Sequence, residues 1–305
     1  DPIAAEIGGV ETVLLVPEAS LHQVVFAALP VQEEGRFLVE RGPRIHLLGG
    51  ARDVVRFVRE GAKESGSGLL AVADPAFASP RAGAAHRSTD LCSAVFAGPW
   101  EPLPASAVEV RRIRELFSET ESVDLLLGEE ATERALQDKA AGRRVLHIAT
   151  HGYFVAPDCE AEEGRAPVPP LLRSGLVLAR AGDDDGILTA EELTALDLDG
   201  AEIVVLSGCD TGLGEIDVGE GVYGLRRAFE LAGARTVVMT LWSVPDRQAL
   251  AWMTSFYERL LDGARAGDAA HDASLSLLER LRAQRRPPHP WLWTGFVTAG
   301  DWRVP

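Results

Sequence analysis

The feature that most constrains the fold is a series of short, uninterrupted apolar runs, each ended by turn residues. Six runs recur along the chain, at residues 13–17, 69–74, 123–128, 144–152, 202–209 and 235–242. Their apolar residues follow one another without alternation, which is typical of parallel strands that are buried on both faces. Helical patterns lie between them, so strand and helix alternate as in crossover units. The sequence therefore predicts an α/β fold with a mostly parallel central sheet flanked by helices.

Length and composition indicate a globular protein with a sizeable core. The chain has 305 residues, of which 46% are hydrophobic and 25% charged. We expect one domain over residues 1–305, with residues 1–66 as an N-terminal lobe and residues 67–305 as the core. No apolar run approaches the ~20 residues of a membrane helix, and no secretory signal pattern is visible. The net charge of −16 argues against contact with nucleic acid. We therefore expect a cytoplasmic protein that contacts neither nucleic acid nor membrane.

The three cysteines, Cys92, Cys159 and Cys209, fit neither a disulfide framework nor a zinc site. Such a set is typical of a reducing compartment. Cys92 and Cys159 fall in loop-like segments, and we assign them no role. Cys209 differs because it follows a predicted strand directly and has Gly208 beside it. The simplest interpretation of such a cysteine is a small hydrophobic core residue, and the alternative needs a histidine.

The stretches "HIATHG" and "VLSGCD" share one order of features: an apolar strand, a small polar turn, and a reactive side chain beside glycine. In an open parallel sheet, the carboxyl ends of neighbouring strands meet at one crevice. We therefore expect His151 and Cys209 to face that crevice, with a thiolate that attacks a carbonyl. The N–H groups of Gly152 and Cys209 would form an oxyanion hole. His147, inside the same strand, is expected to be a core or supporting histidine.

Longer stretches resemble a known family. The segments "RVLHIATHGYF", "ILTAEELTALDLDGAEIVVLSGCDTG" and "HPWLWTGFVTAGD" are similar to the CHAT domain, a caspase-like peptidase family related to separases and more distantly to caspases and gingipains. The resemblance covers nearly the whole chain and implies a three-layer caspase–haemoglobinase fold. It implies that Cys209 is the nucleophile and that His151 is the general base and then acid, with no metal or cofactor. Gly208 stands where alanine is commoner in the family.

The resemblance also carries expectations about partners. Family members usually have an N-terminal helical-repeat or sensor region, so we expect regulation by such a region or by a partner protein. Relatives in bacterial immune systems cut a dedicated protein target, sometimes a pore-forming one. The resemblance makes such a protein substrate an expectation here.

Two aspartates follow strands that flank the proposed pair. Asp246 lies beyond the "LW" strand and matches an aspartate that selects arginine in separase-like relatives, and Asp74 ends another strand. A carboxylate pocket binds guanidinium with paired hydrogen bonds, so we expect both to bind substrate and the residue before the cut to be basic, arginine over lysine. Each aspartate also has a structural interpretation. Asp246 would favour a helix N-terminus, and Asp74 would be a turn residue before proline.

Taken with the resemblance, these residues predict a cysteine endopeptidase that cuts a protein or peptide substrate. The alternative is a non-catalytic interaction or scaffold module that keeps the caspase-like fold. The presence of both His151 and Cys209, each beside a glycine, favours the enzyme.

Overall fold

The structure is a computed structural model. It describes residues 9–31, 35–61, 64–77, 100–154, 169–182, 184–208 and 218–304. The predicted nucleophile Cys209 lies outside these ranges, and so do Cys92 and Cys159. The site is therefore built below from the residues that surround position 209.

The described strands form two sheets. Their bounds are Thr12–Leu15 (β1), Arg44–Leu47 (β2), Leu69–Pro75 (β3), Val123–Gly128 (β4), Val145–Ala149 (β5), Gly152–Phe154 (β6), Ser174–Val177 (β7), Ile187–Thr189 (β8), Ile203–Leu206 (β9), Thr236–Thr240 (β10) and Phe296–Gly300 (β11). The central sheet has the order β1-β2-β11-β10-β9-β5-β3-β4, and β6, β7 and β8 form a small sheet beside it. Every neighbouring pair in the central sheet is parallel except β10 and β11. The predicted mostly parallel sheet is confirmed.

Helices cover both faces of the central sheet. Their bounds are Leu38–Arg41 (α1), Ala51–Glu60 (α2), Pro104–Phe117 (α3), Glu133–Ala140 (α4), Ala190–Leu193 (α5), Val218–Ala232 (α6), Asp246–Leu261 (α7) and Ala266–Ala283 (α8). Of the helices within the described ranges, none combines the length and the apolar composition that crossing a membrane requires.

Alternate residues of the inner strands point to opposite faces, as the pleat of a strand dictates. Leu70 and Val72 of β3 belong to a core cluster that contains side chains of α4, α5 and α6. Leu69 and Ala71 belong to a second cluster, formed with α3, α7 and α8. All four side chains are fully buried. The continuous apolar runs are therefore explained by a sheet whose two faces are both covered, which gives three layers.

Local sequence signals set several helix ends. Thr189 accepts a hydrogen bond from the Glu192 N–H, and the Glu192 carboxylate accepts one from the Thr189 N–H. This reciprocal pair is a capping box, and it begins α5. Helix α6 ends just before Gly233, whose φ of 116° favours glycine. These short-range signals fix where α5 begins and where α6 ends.

Candidate active site at the carboxyl edge of the sheet

His151 lies two residues beyond β5, where the chain leaves the central sheet for β6. The turn is held by two hydrogen bonds to Val177 of β7. The Thr150 hydroxyl donates to the Val177 carbonyl, and the Val177 N–H donates to the His151 carbonyl at 2.9 Å. His151 is only 4% exposed. The small sheet therefore fixes the backbone that presents this imidazole.

The His151 ring is anchored at one nitrogen and flanked by two aromatic rings. Its Nε2 lies 2.7 Å from the Glu101 carbonyl oxygen. Because a carbonyl oxygen can only accept, Nε2 carries the proton, and Nδ1 of the neutral ring holds the lone pair. The ring centroids of Phe77 and Trp100 lie 5.0 and 5.2 Å from that of His151. In this tautomer Nδ1 is the nitrogen with proton-acceptor character.

The end of β9 lies directly beside the end of β5. The two strands are parallel neighbours, and the Ser207 N–H extends the ladder by donating to the Ile148 carbonyl at 2.9 Å. Gly208 follows with φ of 114°. A Cβ there would lie 3.0 Å from the Thr150 carbonyl oxygen, so both its dihedral angle and its surroundings require glycine. This close approach joins the strand end before Cys209 to the strand end before His151.

Gly152 occupies a position whose N–H is not used by the small sheet. It lies opposite Leu176 of β7. Because the preceding pair, His151 and Val177, shares a ladder hydrogen bond, Gly152 is at a non-hydrogen-bonded position, and its N–H points away from β7. A Cβ at position 152 would find its nearest neighbours at 3.7 Å, so packing does not demand glycine. Its part in an oxyanion hole stays a prediction.

A cavity of about 220 Å³ opens beside Ser207 and Gly208. Its other walls are the start of α3, the residues after β10 and the start of α7. Three acidic residues belong to the lining, Glu101, Glu109 and Asp246, and the described lining contains no lysine or arginine. The cavity is therefore acidic and adjoins the strand end that leads to Cys209.

Asp246 lies at a helix start and beside the cavity, and its contact with substrate stays a prediction. It is the first residue of α7, where a carboxylate favours the helix dipole, and it lines the cavity. Its side chain is exposed. The described residues give it no hydrogen bond and no ion pair, so its carboxylate is available at the cavity mouth.

Asp74 lies behind the cavity wall and is not among its lining residues. It has φ of 44°, and the register of β3 shifts there. Its Oδ1 accepts the Leu103 N–H at 2.8 Å, and its own N–H donates to the Ser106 hydroxyl at 3.0 Å. These bonds hold the first turn of α3. Asp74 therefore positions a segment that lines the cavity, and its predicted contact with substrate stays a prediction.

Sequence reasoning missed Glu109. This carboxylate lies on the buried face of α3, one turn before Ile113. Its Oε1 is 3.0 Å from Nε2 of His147, and the other ring nitrogen of His147 is 2.9 Å from the Tyr257 hydroxyl. His147 is fully buried, which agrees with a supporting histidine. The sequence signal that could have identified Glu109 is its position: it is a single acidic residue on the face of the helix that is otherwise apolar.

The described ranges contain no cluster of three histidine, cysteine or acidic side chains placed to hold a metal ion. A smaller cavity of about 50 Å³ lies beside Val24, Ile45 and His271 and shares one lining residue, Phe296, with the acidic cavity. Its lining is mainly apolar and includes neither His151 nor any residue next to Cys209. The acidic cavity is therefore the candidate site.

Known proteins share this arrangement at the level of fold. Gingipain R, an Arg-specific cysteine proteinase, aligns with a TM-score of 0.50 and 10% identity over 86% of this chain and 55% of its own. The complex of the pro- and mature domains of RgpB from Porphyromonas gingivalis aligns with a TM-score of 0.57 and 10% identity, covering 99% of this chain and 67% of that one. At this identity the likeness concerns the fold alone, and the fold is that of caspase-like peptidases.

Sequence comparison identifies the family. Two curated relatives are tetratricopeptide repeat protein 28 of Mus musculus and its counterpart of the same name in Homo sapiens. Each is 26% identical to this chain over 320 aligned positions, which cover 97% of this chain. The chain spans only 12% of the length of these relatives. The CHAT domain matches residues 1–301. The chain therefore belongs to the CHAT-domain family.

Proposed function

We propose that this CHAT domain is a cysteine endopeptidase in which Cys209 is the nucleophile and His151 is the general base and then the general acid. The single observation that carries the proposal is the anchored imidazole of His151. Its Nε2–H donates to the Glu101 carbonyl at 2.7 Å. At the same edge β9 ends two residues before Gly208, which packs against Thr150. Activation of a cysteine thiol requires an imidazole that can accept the proton of the thiol.

The proposed reaction has two halves. In the first, His151 Nδ1 takes the thiol proton, the sulfur attacks the peptide carbonyl, and the oxyanion accepts hydrogen bonds from the N–H groups of Gly152 and Cys209. The imidazolium gives its proton to the leaving amine, and a thioester remains. In the second half, His151 deprotonates a water that attacks the thioester. Collapse releases the carboxylic acid and returns the proton to the thiolate.

The charge of the cavity supports a basic residue before the scissile bond. Asp246 and two further acidic residues line it without a described basic neighbour. A guanidinium offers planar paired donors to carboxylates, so arginine is favoured over lysine. We propose that the substrate is a protein, and a pore-forming protein is one candidate. We also propose that a sensor region or a partner outside this chain regulates the peptidase.

The test is cleavage of a peptide library with a varied residue before the cut, read by mass spectrometry. Wild type is compared with Cys209→Ala, and Cys92→Ala is the matched control. We expect cleavage after arginine that survives Cys92→Ala and disappears with Cys209→Ala. Cleavage that persists in Cys209→Ala would overturn the proposal. A folded wild type that cuts no peptide and whose Cys209 is inert to alkylation would favour the scaffold alternative.

A further inference from the structure

We infer that Glu109 is a second specificity-determining residue of the substrate pocket. It receives the cationic end of a basic side chain at the buried side of the cavity, while Asp246 contacts it at the exposed side. This inference rests on the proposed function and deepens it, because it names the group that recognises the substrate. Three observations support it: Glu109 is buried, only its Oε1 has a hydrogen-bond partner among the described residues, and the described cavity lining contains no basic residue.

Glu109 is buried yet opens on the cavity. The residue is 4% exposed and belongs to the cavity lining. Charged residues are almost never buried to this extent unless they are paired. In the part of the chain that the structure describes, its only hydrogen-bond partner is His147, through Oε1. Oε2 is left for a group that enters the cavity.

The partner of Glu109 does not supply a full countercharge when its ring is neutral. An ionised carboxylate can only accept, so Nε2 of His147 donates to Oε1. The Tyr257 hydroxyl then donates to Nδ1 of the neutral ring. Burial raises the pKa of Tyr257 well above its usual 10.0, and the charge of Glu109 adds to the shift. Tyr257 therefore stays a protonated donor. The chain of hydrogen bonds orients Glu109 and leaves its negative charge facing the cavity.

A buried carboxylate without a countercharge is costly, and a ligand cation in the cavity removes that cost. The described lining offers no lysine, arginine or histidine for this purpose. With Asp246 at the exposed side, the cavity holds carboxylates at two depths. A guanidinium has five N–H donors in one plane and can bond to two carboxylates at once, whereas an ammonium is a single point. The pair Glu109 and Asp246 therefore fits arginine better than lysine.

The experiment compares Glu109→Gln with Glu115→Gln, the same change on the exposed side of the same helix. Three peptides differ only before the cut, with arginine, its neutral isostere citrulline, or leucine. We expect Glu109→Gln to lower kcat/KM for the arginine peptide by about 10- to 100-fold, the range for a hydrogen bond to a charged group. Citrulline and leucine peptides should change less than about threefold, and Glu115→Gln should change none of them.

A second variant separates charge recognition from loss of the buried network. Tyr257→Phe removes the hydroxyl that bonds to His147 and leaves both cavity carboxylates in place. We expect it to keep the preference for arginine over citrulline. Equal losses on all three peptides in Glu109→Gln, matched by Tyr257→Phe, would show that Glu109 only supports the fold and would overturn the inference.

A binding measurement keeps the inference testable if no peptide is cut. Saturation-transfer NMR with Nα-acetyl-arginine amide reports occupancy of the cavity without chemistry. We expect binding to wild type and to Glu115→Gln, and a Kd at least about tenfold weaker for Glu109→Gln. Binding unchanged in Glu109→Gln would overturn the inference. Failure of the proposed function has a different signature, namely the absence of any cleavage that depends on Cys209.

Discussion

Both ends of the central parallel strands carry charged groups, but these groups are paired at one end and line a cavity at the other. At the amino edge, where the parallel strands β4, β5 and β9 begin, Arg144 bonds to Glu121 and, at 3.0 Å, to Glu202. At the carboxyl edge, Glu109 and Asp246 line a cavity without a described basic neighbour. Charged groups at the amino edge pair with one another and hold strands together, whereas we propose that the carboxylates at the carboxyl edge bind a cation of the substrate.

The amino edge continues this pattern beyond Arg144. Asp301, just after β11, is 2% exposed and accepts hydrogen bonds from Arg235 and Arg303. Its backbone carbonyl also accepts from the Thr236 hydroxyl. Because β11 runs opposite to β10, the end of β11 meets the start of β10 at this edge. The paired charges at the amino edge therefore stabilise the contacts between neighbouring strands.

The largest expected effect is at the carboxyl edge. His151→Gln keeps a donor for the Glu101 carbonyl but removes the base, so kcat/KM should fall by about 10³-fold or more. The free energy of unfolding should change little, because the turn is held through the backbone of residue 151 and not through its side chain. Steady-state kinetics and urea denaturation check both parts. Activity retained within tenfold would remove His151 from the mechanism.

At the amino edge, Arg144→Met should act on stability alone. It leaves Glu121 and the 6%-exposed Glu202 side chain without their cation. Breaking a pair with this degree of burial costs about 2–4 kcal/mol of unfolding free energy. Arg134→Met is the control, because its pair with Asp138 is exposed and should be worth under about 1 kcal/mol. A changed preference for the residue before the cut in Arg144→Met would contradict the division between the edges.

The amino edge should also make the protein sensitive to acid. Burial alone would raise the pKa of Glu121, but hydrogen bonds from Arg144 outweigh it and hold the pKa below its usual 4.5. Burial would likewise raise the pKa of Asp301, yet Arg303 and Arg235 lower it below 3.8. Depressed pKa values stabilise the fold above the unfolded pKa, and this stabilisation is lost as the pH falls through the folded value.

The unfolding free energy should therefore be steady near neutral pH and decline below about pH 4.5, by up to ~1.4 kcal/mol per pH unit for each such group. Denaturation curves between pH 6 and pH 3 check this. Glu121→Gln should flatten the decline. A decline of the same steepness in that variant would show that Glu121 does not cause it.

The smallest expected effect is at the cavity mouth. Asp246→Asn should lower kcat/KM for an arginine peptide by about two- to fivefold, because solvent screens an exposed carboxylate. The loss should shrink at high salt, whereas that of Glu109→Gln should persist. Kinetics at two ionic strengths decide the matter. A larger loss in Asp246→Asn than in Glu109→Gln would reverse the proposed order of the two carboxylates.

Much of the fold could be predicted because its strands are buried on both faces. The six continuous apolar runs coincide with β1, β3, β4, β5, β9 and β10. The missed strands are short or rich in polar residues and glycine, such as "RIHL" of β2 and "GYF" of β6. Their strand character depends on pairing with distant partners. The reversal at β11 likewise arises from contacts that no local pattern reveals.

The site was predictable only where it depends on strand ends. The strands whose ends precede His151 and Cys209, β5 and β9, are parallel neighbours, whereas the meeting of the two side chains stays a prediction. The hydrogen bond from the Leu103 N–H to Asp74 could not be predicted, because the two residues are 29 positions apart in the sequence. Glu109 was missed because its burial is explained only by its hydrogen bond with His147, which belongs to another element. Side-chain partners across elements are the information that a single sequence lacks.

The most direct test of the central claim is the alkylation rate of Cys209 as a function of pH. In a Cys92→Ser, Cys159→Ser background, Cys209 is the one remaining thiol, and iodoacetamide reads its thiolate fraction. We predict rapid labelling at neutral pH, with a midpoint below the ~8.5 of an ordinary thiol, and a slower, ordinary profile after His151→Gln. The same profile with and without His151 would contradict the pairing at the carboxyl edge.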